Sequence, residues 1–433
     1  MTVKLRNGEN MGKIRLGFRQ ICFLFVFLFL VGNYVQGQAV VVNDNEFFTA
    51  PGEFENQEAV WMTAKPFETV HPTIEIVIQM IKALSPHVKI KLMVADDSAK
   101  TAVQKLLREN GVDEKQIFYW TTVSSSTRWY RDIGGIFLKS RSGNLKIADF
   151  GFNCYGDCKS SSETAKKKEG IDREIAALLR LPVIKSDLIT EGGDLEFNGK
   201  GTMMAVEAVE LQRNPNLTKA QIEKELLRVL GQKKIIWLKK GIAEDDKAQR
   251  GALYENVYPI GTGGHIDEFC RFVGPNTILL AEVSQRERDA DPVMKMSYDR
   301  MEENYKILKA SSDQNGKKFK IIRVPVADII YDEFVIKEGD IDELNFFSGS
   351  KPGQTIKSII AASYLNFFIS NGVVLQPSYW KEGRSNSTKI KDEAFRKILQ
   401  KAFPNRKIVP IFTENLNYGG GGMHCATQPQ PAV

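Results

Sequence analysis

Chemistry-bearing residues in this 433-residue chain gather in a few short, glycine-flanked segments. NYGGGGMHCATQPQP (417–431) places four consecutive glycines ahead of His424 and Cys425, so the backbone there is free to approach a ligand closely or move over it. No Gly-Lys-Ser/Thr follows, which disfavours a phosphate-cradling loop. A lone cysteine is more often a small buried apolar residue than a nucleophile, and only company raises its standing. GTGGHIDEFCRF (261–272) supplies that company: His265 and Asp267 lie two apart on a predicted strand, which points both side chains to one face. A hydrogen-bonded surface pair is the alternative, and a metal site is the weakest reading, because no matching ligands stand out elsewhere in the sequence.

Two further segments carry carboxylates. In RWYRDIGG (128–135), Asp132 follows Trp129 at the entrance to a predicted strand, where Arg131 could simply neutralise it. In EGGDLEFNG (191–199), Glu191 and Asp194 flank two glycines, a pattern that a turn alone would explain. A thiol, a histidine and several carboxylates on separate strand ends suit a cationic, planar substrate. A guanidinium stays protonated at physiological pH and presents forked N–H donors that carboxylates grip in bidentate fashion. Its carbon is a poor electrophile, so its chemistry requires an in-line thiolate and a proton donor for departing ammonia.

These residues need elements to position them. Alternating apolar patterns predict strands at 88–94, 117–122, 134–138, 145–152, 195–207, 234–238, 265–273, 277–283, 319–325, 364–375 and 407–412. Helical periodicity predicts helices at 98–110, 163–180, 298–311 and 390–402, and Thr218 with Gln221 reads as a capping box opening a helix that ends near Leu230. The recurring strand-strand-helix-strand rhythm predicts one repeated α/β body. The polar stretch 242–262 is the longest predicted loop, and long ordered loops tend to be functional.

Composition sets the limits. Hydrophobic residues make up 42% and charged residues 26%, which excludes both a disordered chain and a polytopic membrane protein. Residues 21–32, ICFLFVFLFLVG, follow Lys13, Arg15 and Arg19 and are too short to span a bilayer. They match the apolar core of a signal peptide, with an N-terminal anchor as the alternative. Cleavage after Gly37 would remove residues 1–37, leave 38–433 as a single catalytic domain, and lower the net charge from +6 to about +2. The expectation is a secreted or periplasmic protein that meets a membrane only through its export signal and has no nucleic-acid partner. With eight residues after Cys425, no C-terminal adhesion domain is expected. Cys154 and Cys158 suit a disulfide in an oxidising compartment and two free thiols equally well.

The ordered motifs PGEFENQEAVWM (51–62), WYRDIGGIF (129–137), DFGFNCYGD (149–157), EGGDLEFNGKGT (191–202), QRNPNLTKAQIE (212–223), GHIDEFCRF (264–272), YLNFFISNGVVLQP (364–377) and GGGGMHC (419–425) together resemble the agmatine deiminase and bacterial-type peptidylarginine deiminase family of guanidine-modifying enzymes. The resemblance implies a five-bladed α/β propeller with pseudo-fivefold symmetry. It implies Cys425 as the nucleophile forming a thiouronium adduct and His265 as the acid/base. Asp132 and Asp267 become the carboxylates gripping the guanidinium, Asn366 a site asparagine, and Trp129 the wall along the substrate's aliphatic stem. Neither a metal nor an organic cofactor is implied, and the products are a ureido group and ammonia. The substrate is divided. DFGFNCYGD and QRNPNLT resemble the agmatine branch, whereas the export signal, the long 242–262 stretch and GTGG before His265 depart from it, leaving agmatine, arginine and peptidylarginine open. Amidino transfer through the same cysteine and a non-catalytic cation-binding propeller are the alternative functions.

Overall fold

The computed structural model describes residues 46–122, 127–158, 161–338, 347 and 349–433. The expected signal peptide, residues 1–37, lies outside the described residues. All described elements belong to one unit, Asn45–Val433.

In chain order the unit begins with strands β1 (Phe48–Thr49) and β2 (Gln57–Thr63), helix α1 (Ile74–Leu84), β3 (Lys89–Val94), α2 (Asp97–Glu109), β4 (Ile117–Thr121) and the single turn α3 (Tyr130–Ile133). Next come β5 (Ile136–Ser140), β6 (Leu145–Gly151), α4 (Glu163–Glu169), α5 (Ile171–Leu179) and β7 (Val183–Ile189). They are followed by β8 (Leu195–Phe197), β9 (Thr202–Val206), α6 (Glu207–Arg213), α7 (Lys219–Leu230), β10 (Lys234–Leu238) and β11 (Val257–Ile260). The second half holds β12 (Cys270–Gly274), β13 (Thr277–Glu282), α8 (Gln285–Ala290), α9 (Pro292–Ala310), β14 (Lys320–Pro325), β15 (Tyr331–Val335) and β16 (Thr355–Ile360). It closes with β17 (Phe368–Ser370), β18 (Val373–Ser378), α10 (Asn386–Ala402), β19 (Lys407–Phe412), α11 (Glu414–Asn417) and β20 (Thr427–Pro431).

This is a mixed α/β fold in which one pairing rule recurs five times. An antiparallel pair is extended by a strand that arrives through a helix and lies parallel to the second member. The rule holds for β5–β6–β7, β8–β9–β10, β12–β13–β14, β17–β18–β19 and β20–β2–β3. The helices are obligatory, because a parallel partner cannot be reached by a tight turn. In the last unit the antiparallel pair joins residues far apart in sequence, Trp61 opposite Gln428, and β4 extends the sheet beyond β3. A further sheet, β11–β16–β15, does not follow the rule.

The strands are apolar because they are covered. Val60, Ile90, Leu92 and Val94 pack with α1 and α2 residues such as Ile81, Leu84, Val103 and Leu107 in one core, each buried. A larger core joins Val206, Leu238, Phe272, Leu280, Met301 and Phe395. At roughly 25 cal/mol per Å², such fully buried side chains contribute about 1.5–3 kcal/mol each.

Several boundaries hold, and the Thr218–Gln221 capping box is formed. The expected strand at 265–273 is corrected: His265 caps a 3-10 turn, Ile266–Glu268, and only Cys270–Gly274 is strand. The helix expected at 163–180 breaks at Gly170 into α4 and α5. The one at 298–311 starts earlier, with Asp291 capping and Pro292 in the first turn. The 242–262 stretch is more ordered than a loop, holding 3-10 turns at Ala243–Asp245 and Ala248–Arg250 as well as β11. Cys154 and Cys158 form a disulfide. Among the described residues no helix is long and apolar enough to cross a membrane.

Candidate active site

Each repeated unit delivers a polar residue from the segment just ahead of its first strand. Asp132 lies on α3 before β5, and Glu191 and Asp194 frame the 3-10 turn before β8. Asp267 and Glu268 are in the turn before β12, Asn366 precedes β17, and Cys425 precedes β20. Backbone that has left its strand is free to aim side chains inward, and five such departures converge on one place.

The Cys425 thiol is 1% exposed. Asn366 Nδ2 donates to its Sγ at 3.0 Å, Asp267 Oδ2 lies 3.4 Å from the sulfur and Glu268 Oε1 3.8 Å. The Asn366 side-chain oxygen accepts the backbone N–H of His424 at 2.9 Å, so one amide orients both the thiol and the turn that carries it. Gly422 is required there, because a Cβ would come within 2.5 Å of Asn366 Oδ1. Burial pushes the thiol's pKa well up, and the charges of Asp267, Glu268 and Asp132 add to the effect.

His265 is fully buried, with Nε2 3.2 Å from Glu191 Oε2 and Nδ1 3.8 Å from Asp132 Oδ1. Burial alone would lower its pKa, but Asp132 and Glu191 outweigh that and raise it to about 10, so the ring is a cation near neutrality. Glu191 chelates Arg213 Nε through both oxygens at 2.9 Å. Its burial is overridden by Arg213 and His265, which hold it at about 2. Asp132 accepts from Tyr155 Oη at 3.0 Å and from the Gly193 N–H at 2.9 Å. Its pKa is raised to about 6, chiefly by burial against the opposing pull of His265. A Cβ at Gly193 would sit 2.6 Å from His265 Nδ1 and 2.7 Å from Asp132 Oδ1, so glycine keeps that space open.

The cleft leading to this group is open to solvent and spans about 510 Å³. Trp129, Asp132, Tyr155, Asp157, Lys247 and Cys425 line it. Of the six residues expected from the sequence, Trp129, Asp132 and Cys425 thus face the cleft, while His265, Asp267 and Asn366 stand behind them in contact. His265 and Asp267 do not share the strand face expected of them; His265 caps a 3-10 turn and Asp267 lies within it. Four buried atoms in this cluster have no hydrogen-bond partner among the described residues: Asp194 Oδ1, His265 Nδ1, Asp267 Oδ1 and Glu268 Oε2. Asp267, Glu268 and Cys425 also place ligand atoms within 4.8 Å of one another, a group that His265 does not join.

Sequence reasoning missed His424, Glu53, Glu268 and Tyr155. His424 Nδ1 meets Asp267 Oδ2 at 2.7 Å and Nε2 meets Glu53 Oε2 at 2.8 Å, and Glu53 in turn binds Arg131 and Arg271 at 2.7 and 2.8 Å. The signal for Glu53 was the polar PGEFEN motif lying directly before an apolar strand. Nothing local marked it as a partner of residue 424.

Known proteins agree with this picture. The agmatine deiminase of Medicago truncatula is 34% identical over 328 residues, covering 72% of this chain and 78% of that protein. The agmatine deiminase of Pseudomonas aeruginosa is 30% identical, covering 72% and 76%. Among solved structures, the agmatine deiminase of Enterococcus faecalis superposes with a TM-score of 0.68 at 25% identity, over 89% of this chain and 96% of that one. A putative arginine deiminase from Porphyromonas gingivalis shares the fold, with a TM-score of 0.67 at 24% identity over 89% and 98%. Fold and relatives together define a deiminase, a hydrolase acting on guanidino C–N bonds. The chain belongs to the Porphyromonas-type peptidyl-arginine deiminase family, whose model matches residues 49–431.

Proposed function

We propose that the chain hydrolyses the terminal guanidinium of an arginine-type substrate through a covalent adduct on Cys425. The observation that carries this reading is the pair of buried acceptors without a hydrogen-bond partner, Asp267 Oδ1 and Glu268 Oε2, on carboxyl groups whose other oxygens lie 3.4 and 3.8 Å from the sulfur. A guanidinium presents two N–H forks and one positive charge, which answer two free carboxylate oxygens. Asp132 grips from the cleft side, and Trp129 lies along the aliphatic stem.

The substrate's charge also activates the thiol. Without it, burial and three carboxylates keep Cys425 protonated; a bound cation reverses that field and favours the thiolate. Sγ then bonds to the guanidinium carbon. His265 gives its proton to the departing nitrogen as the C–N bond breaks, releasing ammonia and leaving a thiouronium. The neutral imidazole takes a proton from water, whose oxygen adds to the same carbon. The C–S bond breaks as the new hydroxyl becomes the ureido carbonyl, and the proton that it sheds returns to sulfur, restoring the thiol.

Agmatine is the substrate best supported, because the curated relatives matching most of this chain are named agmatine deiminases. Arginine within a peptide is the second reading, favoured by the signal-like leader at 21–32, which goes with a secreted or periplasmic location. The Cys154–Cys158 disulfide is consistent with such an oxidising compartment. We also read the five repeated units as the blades of a five-bladed α/β propeller, each lending its pre-strand segment to a central site. Residues 38–433, offered agmatine, free arginine and an arginine-containing peptide, should release ammonia from at least one, and Cys425→Ala from none. Wild type matching that variant on all three would overturn the reading.

A further inference from the structure

The segment Asn153–Cys158 contributes three polar contacts and one ring contact to the site from six residues, and a disulfide closes it. Tyr155 Oη donates to Asp132 Oδ2 at 3.0 Å, and its ring lies 5.9 Å from that of His265. Its carbonyl oxygen accepts from Lys247 Nζ at 2.8 Å, and Asp157 pairs with the same ammonium. Cys154 and Tyr155 both adopt left-handed backbone, with φ of 54° and 59°. For a non-glycine residue that conformation is uncommon, and it persists where surrounding structure over-determines it. Here the constraint is visible: Cys154 is tied to Cys158 across four residues, the Cys158 N–H donates to the Asn153 carbonyl at 3.1 Å, and the Asn153 side chain accepts from the Gly156 N–H at 2.8 Å.

We propose that the Cys154–Cys158 disulfide is a clamp that holds Tyr155 as a positioning residue, so that its hydroxyl fixes the Asp132 carboxylate between His265 and the cleft, and that the site therefore works fully only while this bond is oxidised. The inference rests on the deiminase reading. Reduction by a dithiol converts the disulfide to two thiols as the dithiol becomes a disulfide, two electrons and two protons passing to the protein sulfurs. The two free thiols no longer bind the ends of the segment, and its left-handed pair is free to relax. Tyr155 then loses its fixed approach to Asp132. This effect has a sign opposite to the usual one for a cysteine-dependent site: reductant ordinarily restores an oxidised nucleophile such as Cys425, whereas here it lowers turnover.

The test compares residues 38–433 in wild-type form, Cys154→Ser/Cys158→Ser and Tyr155→Phe, each before and after dithiothreitol and after reoxidation. In wild type kcat should fall by roughly tenfold on reduction, the loss of one hydrogen bond to a charged group, with a smaller change in KM, and return on reoxidation. The double serine variant should show the lowered kcat at the outset and not respond to reductant. Tyr155→Phe should match it, with reduction adding little, because bond and hydroxyl act in series. Reductant-insensitive wild-type turnover, or a fully active Tyr155→Phe, overturns the proposal. Hydrogen–deuterium exchange over residues 153–158 decides the clamp even if no guanidine is turned over. Faster exchange on reduction supports it, and unchanged exchange refutes it independently of the deiminase reading.

Discussion

Two histidines stand within the same carboxylate cluster and are wired in opposite ways. His424 is held at both nitrogens, by Asp267 at 2.7 Å and Glu53 at 2.8 Å, and through Glu53 it joins the buried arginines Arg131 and Arg271. His265 is held at one nitrogen by Glu191, while its Nδ1 has no partner and stands 3.8 Å from Asp132 on the cleft side. A ring with both nitrogens committed orients its neighbours, whereas a ring with one free nitrogen is able to pass a proton to a visitor. On the proposed mechanism the difference separates a framework from a reaction site inside a single buried network.

The strongest break in this comparison is at the thiol that both regions serve. Cys425→Ala should lower kcat on the order of 10⁴-fold or more while leaving Tm within a few degrees of wild type, read by ammonia release and thermal unfolding. His265→Gln should follow, lowering kcat by about 10²–10⁴-fold with a small stability change. Glu191→Gln shifts the balance toward structure: it leaves Arg213 buried without its counter-ion and should cost about 3–5 kcal/mol by denaturant unfolding. His424→Gln should cost about 2 kcal/mol, the loss of a buried hydrogen bond to a charged group, with a smaller effect on kcat than His265→Gln. If His424→Gln spared stability and abolished turnover, the division between framework and reaction site would be wrong.

The remaining effects concern pH. Glu191 is held at about 2 against an ordinary 4.5, so its contribution to stability is present above pH 4.5 and is lost as pH falls through 2. His265, raised from 6.5 to about 10, contributes fully below pH 6.5 and loses that contribution as pH rises through 10. Asp132, raised from 3.8 to about 6, works in the opposite direction to Glu191, costing stability as pH rises between those values. Thermal unfolding across pH should therefore show Glu191→Gln flattening the acid limb and His265→Gln the alkaline one.

The parts of this molecule that were legible in its sequence are those whose causes are local. Strand β19 at 407–412 and the capping box on α7 follow from alternation and from a threonine three residues before a glutamine. The strand TQPQP at 427–431 carries two prolines and two glutamines, and no propensity argument finds it; pairing with β2 makes it a strand. His265 and Asp267 were found by residue type but misplaced by period, because an isolated 3-10 turn and a short strand look alike over three residues. Glu53 and His424 were missed as a pair because their hydrogen bond spans 371 positions.

The pairing of β20 with β2 also sets an order in time. Trp61 donates through its indole to Gln430, a partner 369 residues further along the chain. At 5–20 residues per second, β2 waits roughly 20–70 s during synthesis before the strand that completes its sheet exists. The segment that delivers Cys425 is attached to that late strand, so the thiol enters its ring of carboxylates only in the final step of folding. A nascent chain that lacks residues 424–431 thus carries the site's carboxylates without the thiol that they surround.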